Sequence, residues 1–139
     1  MAIVNIRDTG RNSAKTTDVR ELAEKVQKPS DTEAITAANT ITAAESGTRY
    51  VLNVAAAKIQ TLPAPAAGLE YWFYVGATEP TGTHTVVTAS SANIIVGNIS
   101  SPEDAAGSVA TVTDADTISF VASKAVHGDF VHVWSDGTN

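Results

Sequence analysis

The chain has 139 residues, of which 43% are hydrophobic and 17% charged, with a net charge of −6 at neutral pH and no cysteine. The length fits one domain with its own hydrophobic core, and the composition is typical of a globular β-protein. The lack of cysteine excludes disulfides, thiolate metal sites and thiol nucleophiles. No segment approaches the roughly 18 apolar residues of a membrane span, and no export signal is readable, so we expect a soluble protein without a membrane partner.

Charge is distributed unevenly along the chain. Residues 1–28 contain six basic and four acidic residues, a net charge of +2, whereas residues 29–139 contain three basic and eleven acidic residues, a net charge of −8. An acidic body predicts no nucleic-acid partner, because that binding neutralises phosphates with Lys and Arg. The basic residues of the first segment are interleaved with acids and lack aromatic neighbours, which favours a solvated or protein-docking arm.

Residues 1–30 are predicted to form an N-terminal arm that contains one short helix. Residues 1–16 are polar and are expected to be extended. Asp18 and Glu21 have the spacing of a capping box at a helix start, and Pro29 ends the pattern, so the helix is expected at about residues 18–28. A helix of this length is marginal alone in water, so it must dock either on its own body or on a neighbouring subunit. Its apolar face comprises Val19, Leu22, Ala23 and Val26.

Residues 31–139 are predicted to form the body, with the two-residue period of β-strands. An echo between residues 35–39 and 41–45 is interpreted as compositional bias at strand edges. Turn residues separate eight or nine short strands, which predicts an all-β fold: an antiparallel β-sandwich, jelly-roll-like body or β-barrel. Helices between the strands are not expected, which argues against a parallel α/β fold. Besides residues 33–41, the predicted strands are 49–55, 58–62, 69–75, 84–89, 93–99, 108–112, 117–122 and 130–134.

The strand at residues 69–75 is the most β-prone of the chain and has aromatic residues on both faces. Alternation places Tyr71 and Phe73 on one face and Trp72 and Tyr74 on the other. This pattern predicts a central strand that is covered on each side, or an aromatic face that meets a partner. Trp72, Tyr74 and Trp134 are interpreted as packing in the core or at a subunit interface, with a sugar-stacking platform as the alternative.

Two proline-containing or glycine-containing segments are predicted to be turns. Residues 63–68 contain two prolines, which cannot donate to a strand ladder, so a surface crossing is expected there. Residues 135–139 have the composition of a hairpin turn, but no return strand follows them in the sequence.

Catalytic and metal-binding patterns are weak. His127, Asp129 and His132 are close enough in sequence to suggest a metal site, but His132 alternates with Val131 and Val133, which favours a position facing solvent or an interface. Asp114 and Asp116 suggest calcium, but they are more simply turn formers and sheet-edge charges. The serines lack the Gly-x-Ser-x-Gly context of a hydrolase nucleophile. We therefore predict neither an enzyme nor a cofactor or metal site.

Residues 43–53 (AAESGTRYVLN), residues 61–71 (TLPAPAAGLEY) and the Gly-Asp-Phe and Ser-Asp-Gly-Thr segments at 128–130 and 135–138 resemble a known family. They are similar to segments of capsid decoration, or cement, proteins of tailed bacteriophages. In such modules a strand ends in a Thr-Leu-Pro corner, a glycine closes the connection, and an aromatic strand follows. The resemblance covers about 100 residues from Thr40 onward and excludes the arm and helix.

The resemblance implies a structural virion protein on the outer surface of the phage head. Its expected partner is the major capsid protein, its expected oligomer a homotrimer, and its expected role the stabilisation of the shell by bridging neighbouring capsomers. The alternative is a head-fibre or receptor-binding or carbohydrate-binding β-domain. The residues predicted to contact the capsid or a sister subunit are Ile3, Val4, Ile6, Arg7, Arg11, Val19, Arg20, Leu22, Val26, Trp72, Tyr74 and Trp134.

Overall fold

The first six strands of the body alternate between two four-stranded sheets. The computed structural model of the chain describes residues 31–100 and 109–139, so the predicted arm and helix lie outside the described residues. The ten strands are β1 (Thr32–Ile35), β2 (Asn39–Thr40), β3 (Arg49–Leu52), β4 (Ile59–Thr61), β5 (Glu70–Val75), β6 (His84–Val87), β7 (Ile95–Ser100), β8 (Val109–Ala115), β9 (Thr117–Phe120) and β10 (Phe130–Trp134).

Sheet A has the strand order β1-β3-β5-β10, and sheet B has the order β2-β4-β6-β9. Within sheet A, β1, β3 and β5 are parallel, and β10 is antiparallel to β5. Sheet B repeats the arrangement, with β2, β4 and β6 parallel and β9 antiparallel to β6. Strands β7 and β8 form a separate antiparallel hairpin with an irregularity between Ile95 and Gly97.

The all-β class predicted from the sequence is confirmed, but the antiparallel pairing is wrong for four of the seven strand pairs. Parallel neighbours need a crossover of a dozen or more residues, usually a helix. Here the crossover from β1 to β3 passes through β2 of the other sheet instead. The described strands also close no barrel, so the β-barrel alternative is wrong.

Buried residues from both sheets form one core cluster. In β5 the side chains of Tyr71, Phe73 and Val75 are buried, as the alternation predicted. Tyr50 and Phe73 occupy matching positions of β3 and β5, and their stacked rings have centroids 5.3 Å apart. Burying one such side chain stabilises the fold by about 1.5–3 kcal/mol. The cluster contains Ile35, Ile41, Tyr50, Leu52, Leu62, Tyr71, Phe73, Val75, Val86, Phe120 and Ala125.

The connection at residues 63–68 is a surface crossing, as predicted. Its members are exposed or half-buried, and it ends at Gly68, whose φ of +86° falls in the left-handed region that favours glycine. The Gly68 amide donates to the Ser135 carbonyl at 2.9 Å, and the Ser135 amide donates to the Leu69 carbonyl at 2.8 Å. These two bonds extend the β5–β10 pairing past the end of each strand.

A short 3₁₀ helix at Ala43–Glu45 lies between β2 and β3. The Thr42 amide and hydroxyl both donate to Glu45 Oε2, at 2.7 and 2.6 Å. This capping box occupies the second half of the sequence echo, so the interpretation as strand-edge bias was wrong there. Among the described residues no helix has the length and apolar character needed to cross a membrane.

Candidate functional site

The outer face of sheet A carries a group of rings that we call the aromatic face: Trp72, Tyr74, Phe130, His132 and Trp134. Alternation along β5 and β10 turns these side chains away from the core, and the strand register brings them together. Phe130 is paired with Tyr74, and His132 is paired with Trp72. The aromatic face is therefore a product of two strands that are about 60 residues apart in the sequence.

The rings of this face are packed against one another. Trp72 and His132 have ring centroids 3.8 Å apart and planes within 7°, so each ring covers one side of the other. Trp72 also lies 6.2 Å from Tyr74 and 6.1 Å from Phe130, and Tyr74 lies 5.7 Å from Phe130. The arrangement is stiff, because aromatic side chains have few rotatable bonds and each ring has a neighbour.

The exposed area of the aromatic face belongs mainly to β10. Phe130 is 60% exposed and Trp134 is 67% exposed, whereas Trp72 and Tyr74 are half-buried. None of these four rings belongs to the buried core. The expectation that β5 is covered on both sides is therefore wrong for the described part of the chain, although β5 does lie inside its sheet between β3 and β10.

Charged groups border the rings. Glu70 lies opposite Trp134, and its Oε2 atom is 3.4 Å from His132 Nε2. This close contact is not a hydrogen bond, since His132 Nε2 makes none with the described residues. Arg49 is exposed and lies beside Trp72 on β3. The face thus presents a carboxylate and a guanidinium group next to apolar rings.

An apolar groove lies between the β7–β8 hairpin and the last strands of both sheets. Its cavity volume is about 720 Å³, and its lining includes residues of β7, β8, β9 and β10 together with the 62–65 corner. Val96 and Ile99 of the hairpin are 60% and 57% exposed. His132 and Trp134 border this groove as well as the aromatic face. Other apolar lining residues are Leu62, Leu69, Val112, Ile118, Val131 and Val133.

A polar network around Glu45 joins the 3₁₀ helix to the core. The hydrogen bonds from the Thr42 hydroxyl and amide lower the pKa of Glu45. Tyr50 donates to Glu45 Oε1 at 3.3 Å, and Tyr71 donates to the Thr42 carbonyl at 3.0 Å. Burial is the main reason why the pKa values of Tyr50 and Tyr71 are raised. Every member of this network has a partner, which indicates a structural role.

The histidines have separate environments. His84 is 1% exposed; its Nδ1 accepts from the Lys58 amide at 3.1 Å, which leaves Nε2–H to donate to the Val54 carbonyl at 2.8 Å. His132 is stacked on Trp72, and Asp129 Oδ2 accepts from the Val126 amide inside a turn. Within residues 31–100 and 109–139, no three His, Asp or Glu side chains are grouped to hold a metal ion.

Of the twelve predicted contact residues, Trp72, Tyr74 and Trp134 are described, and they share one face of sheet A. The other nine lie outside the described residues: Ile3, Val4, Ile6, Arg7, Arg11, Val19, Arg20, Leu22 and Val26. Sequence reasoning missed Phe130 and His132 as members of this face. The alternation that places them beside Trp134 was readable, but the pairing of β10 with β5 was not.

No protein-family model, curated protein or solved structure matches this chain. The resemblance to phage decoration proteins therefore stays a prediction from the sequence motifs, and the geometry of the aromatic face and the groove has to be interpreted from its own chemistry.

Proposed function

We propose that this chain is a structural protein of a tailed-bacteriophage virion that decorates the outer surface of the head. In this proposal it is not an enzyme; it binds the major capsid protein, assembles as a homotrimer and stabilises the shell by bridging neighbouring capsomers. The motifs at residues 43–53 and 61–71 support the proposal. The proposal also includes a sandwich-like or jelly-roll-like body. The core that both sheets share supports this architecture.

The observation that carries the proposal is the apolar groove beside the β7–β8 hairpin. Contiguous exposed apolar surface on an acidic protein favours association with another protein, at about 25 cal/mol per Å² removed from water. In the described chain β9 and β10 are edge strands on the same side of the two sheets, and the groove lies at that side. A sister subunit placed there adds apolar contacts to partly buried residues of the core, so we assign the groove to the contact between subunits.

The charge distribution supports a separate role for the N-terminal arm. Residues 1–28 carry +2 and the remainder carries −8, so the arm is attracted to acidic surfaces such as the bodies of sister subunits. We assign contacts with the shell or with sister subunits to this arm. Many identical weak contacts on a repeating lattice then add through effective concentration.

The groove assignment is tested by Val96→Asp, with Val121→Asp as the matched control. Val121 is 50% exposed and does not line the groove. Light scattering coupled to size-exclusion chromatography measures the mass of each variant in solution. We expect a trimer for the unaltered chain and for Val121→Asp, and a monomer for Val96→Asp. A monomeric unaltered chain, or a trimer that Val96→Asp leaves intact, contradicts the assignment.

Capsid binding is tested by co-sedimentation with expanded phage heads that lack a decoration protein. We expect the full chain to bind at a fixed ratio to the capsid protein, and deletion of residues 1–28 to abolish binding while the folded body remains. Electron microscopy of the bound heads then locates the added density. Density on the tail, or binding that the deletion leaves unchanged, contradicts the proposal.

A further inference from the structure

The exposed strip along β10 differs in character from the groove. Phe130, His132 and Trp134 follow one another at alternate positions on the outer face, so their side chains are about 7 Å apart and the strip is about 14 Å long. The two outer members expose well over half of their surface. The strip is thus long, narrow and ring-lined.

Residues of β5 fix the orientation of these rings from one side. Trp72 lies face to face with His132 at 3.8 Å, and Tyr74 lies 5.7 Å from Phe130. Because the rings are held before any ligand arrives, little side-chain entropy is lost when one binds.

Polar groups are interleaved with the rings. The Glu70 carboxylate lies opposite Trp134 and is half-exposed at 51%, and Arg49 is exposed beside Trp72. A ligand that covers this face must satisfy an acceptor-only carboxylate and a donor-only guanidinium. Saccharides fit this requirement, since their C–H faces pack on rings while their hydroxyls both donate and accept hydrogen bonds.

The size of the face argues against a second copy of the chain as its occupant. Four strands about 4.8 Å apart and about five residues long give a face of roughly 300 Å². A stable protein–protein interface needs about 800 Å² on each partner. An apolar protein surface laid on this face would also remove Glu70 and Arg49 from water without new partners, which is unfavourable.

We propose that the aromatic face is a saccharide-binding site that holds a short stretch of a polysaccharide along β10. Phe130 and Trp134 supply the stacking surfaces, Trp72 and Tyr74 hold the neighbouring rings in place, and Glu70 and Arg49 bind hydroxyl groups. The choice of bacterial polysaccharides as the ligand rests on the proposed phage function. His132 and Trp134 also border the groove, but Phe130 does not line it, so a loss of polysaccharide binding by Phe130→Ala at an unchanged oligomer mass separates this site from the subunit contact.

The test uses the full chain on an array of purified bacterial O-antigen and capsular polysaccharides, followed by calorimetric titration with the polysaccharide that binds best. We expect Trp134→Ala and Phe130→Ala each to weaken binding about tenfold or more, the loss of one stacked ring. Trp134→Phe should retain most of the affinity, and Ile59→Ala, at an exposed position of sheet B, should retain all of it.

Circular dichroism and the oligomer mass confirm that each variant is folded and assembled. The site assignment is overturned if no polysaccharide binds at millimolar repeat-unit concentration, or if both alanine variants bind as tightly as the unaltered chain. It is likewise overturned if Phe130→Cys crosslinks to a protein in assembled particles, because the face is then a protein interface.

Discussion

The rings of Trp72 and His132 lie face to face across the β5–β10 pair, with centroids 3.8 Å apart and planes 7° apart. This contact fixes the register of the antiparallel pair from the solvent side, while Phe73 and Val131 fix it from the core side. A shift of one residue would exchange the two faces of β10, so aromatic and core packing specify the same register.

The contact between Trp72 and His132 should contribute measurably to stability. We expect a double-mutant cycle with Trp72→Ala and His132→Ala to give a coupling free energy of about 0.5–1.5 kcal/mol, the usual range for paired rings. Urea unfolding measures each variant. The same cycle between Trp72 and Val121, which directly follows β9, should give a coupling near zero, since Val121 has no ring to stack on Trp72. Equal coupling in both cycles would refute the assignment.

Neighbouring residues of β5 should differ sharply in their effect on stability. Phe73 is fully buried, whereas Tyr74 is half-buried on the outer face. We expect Phe73→Ala to lower the free energy of unfolding by about 3–5 kcal/mol, because it removes a large buried ring and leaves a cavity. Tyr74→Ala should cost clearly less. Thermal and urea denaturation compare the two variants. A larger loss of stability for Tyr74→Ala would contradict the assignment of Phe73 to the core and of Tyr74 to the outer face.

The Glu45 network should make stability depend on pH. Its hydrogen bonds with Thr42 hold the pKa of Glu45 below the ordinary value of 4.5 in the folded protein. A lowered folded-state pKa gives a stabilising contribution that is present above the unfolded-state pKa and is lost as pH falls through the folded-state pKa. Glu45→Gln should therefore be less stable than the unaltered chain at pH 7, with a difference that shrinks below about pH 4.5.

Melting temperatures measured between pH 7 and pH 3 check this dependence. Glu79→Gln, a change at an exposed glutamate, is the matched control for the loss of one negative charge. A difference between Glu45→Gln and the unaltered chain that stays constant over this range would show that the network does not stabilise the ionised carboxylate.

Two glycine-to-alanine substitutions should differ in their effect on stability, because one glycine lies against the backbone of another segment and the other faces open space. A Cβ atom added at Gly82 would lie 2.5 Å from the Ala57 backbone nitrogen, whereas one added at Gly97 would meet nothing within 4 Å. We expect Gly82→Ala to destabilise the fold by about 1–3 kcal/mol through steric overlap. Gly97→Ala should be neutral or slightly stabilising, since it lowers the entropy of the unfolded chain. Chemical denaturation of both variants decides the matter, and equal effects would contradict the close contact.

Much of the local structure of the body was predictable from the sequence. The two-residue period identified the strand at residues 69–75 and its two faces, and the prolines identified the crossing at residues 63–68. These features depend on neighbours in sequence: side chains alternate along any extended strand, and proline cannot donate a backbone hydrogen bond wherever it lies. The Thr42 and Glu45 spacing was an equally local signal, and it was overlooked.

Pairing of the strands was decided only by the tertiary structure. Parallel and antiparallel strands have the same two-residue period, so the alternation in β3 and β5 could not show that they run in the same direction. The aromatic face depends on strand pairing in the same way. Trp72 and His132 are 60 residues apart, and only the antiparallel packing of β10 on β5 brings their rings together. The sequence by itself determined which residues of each strand share a face, while long-range packing determined which strands are neighbours.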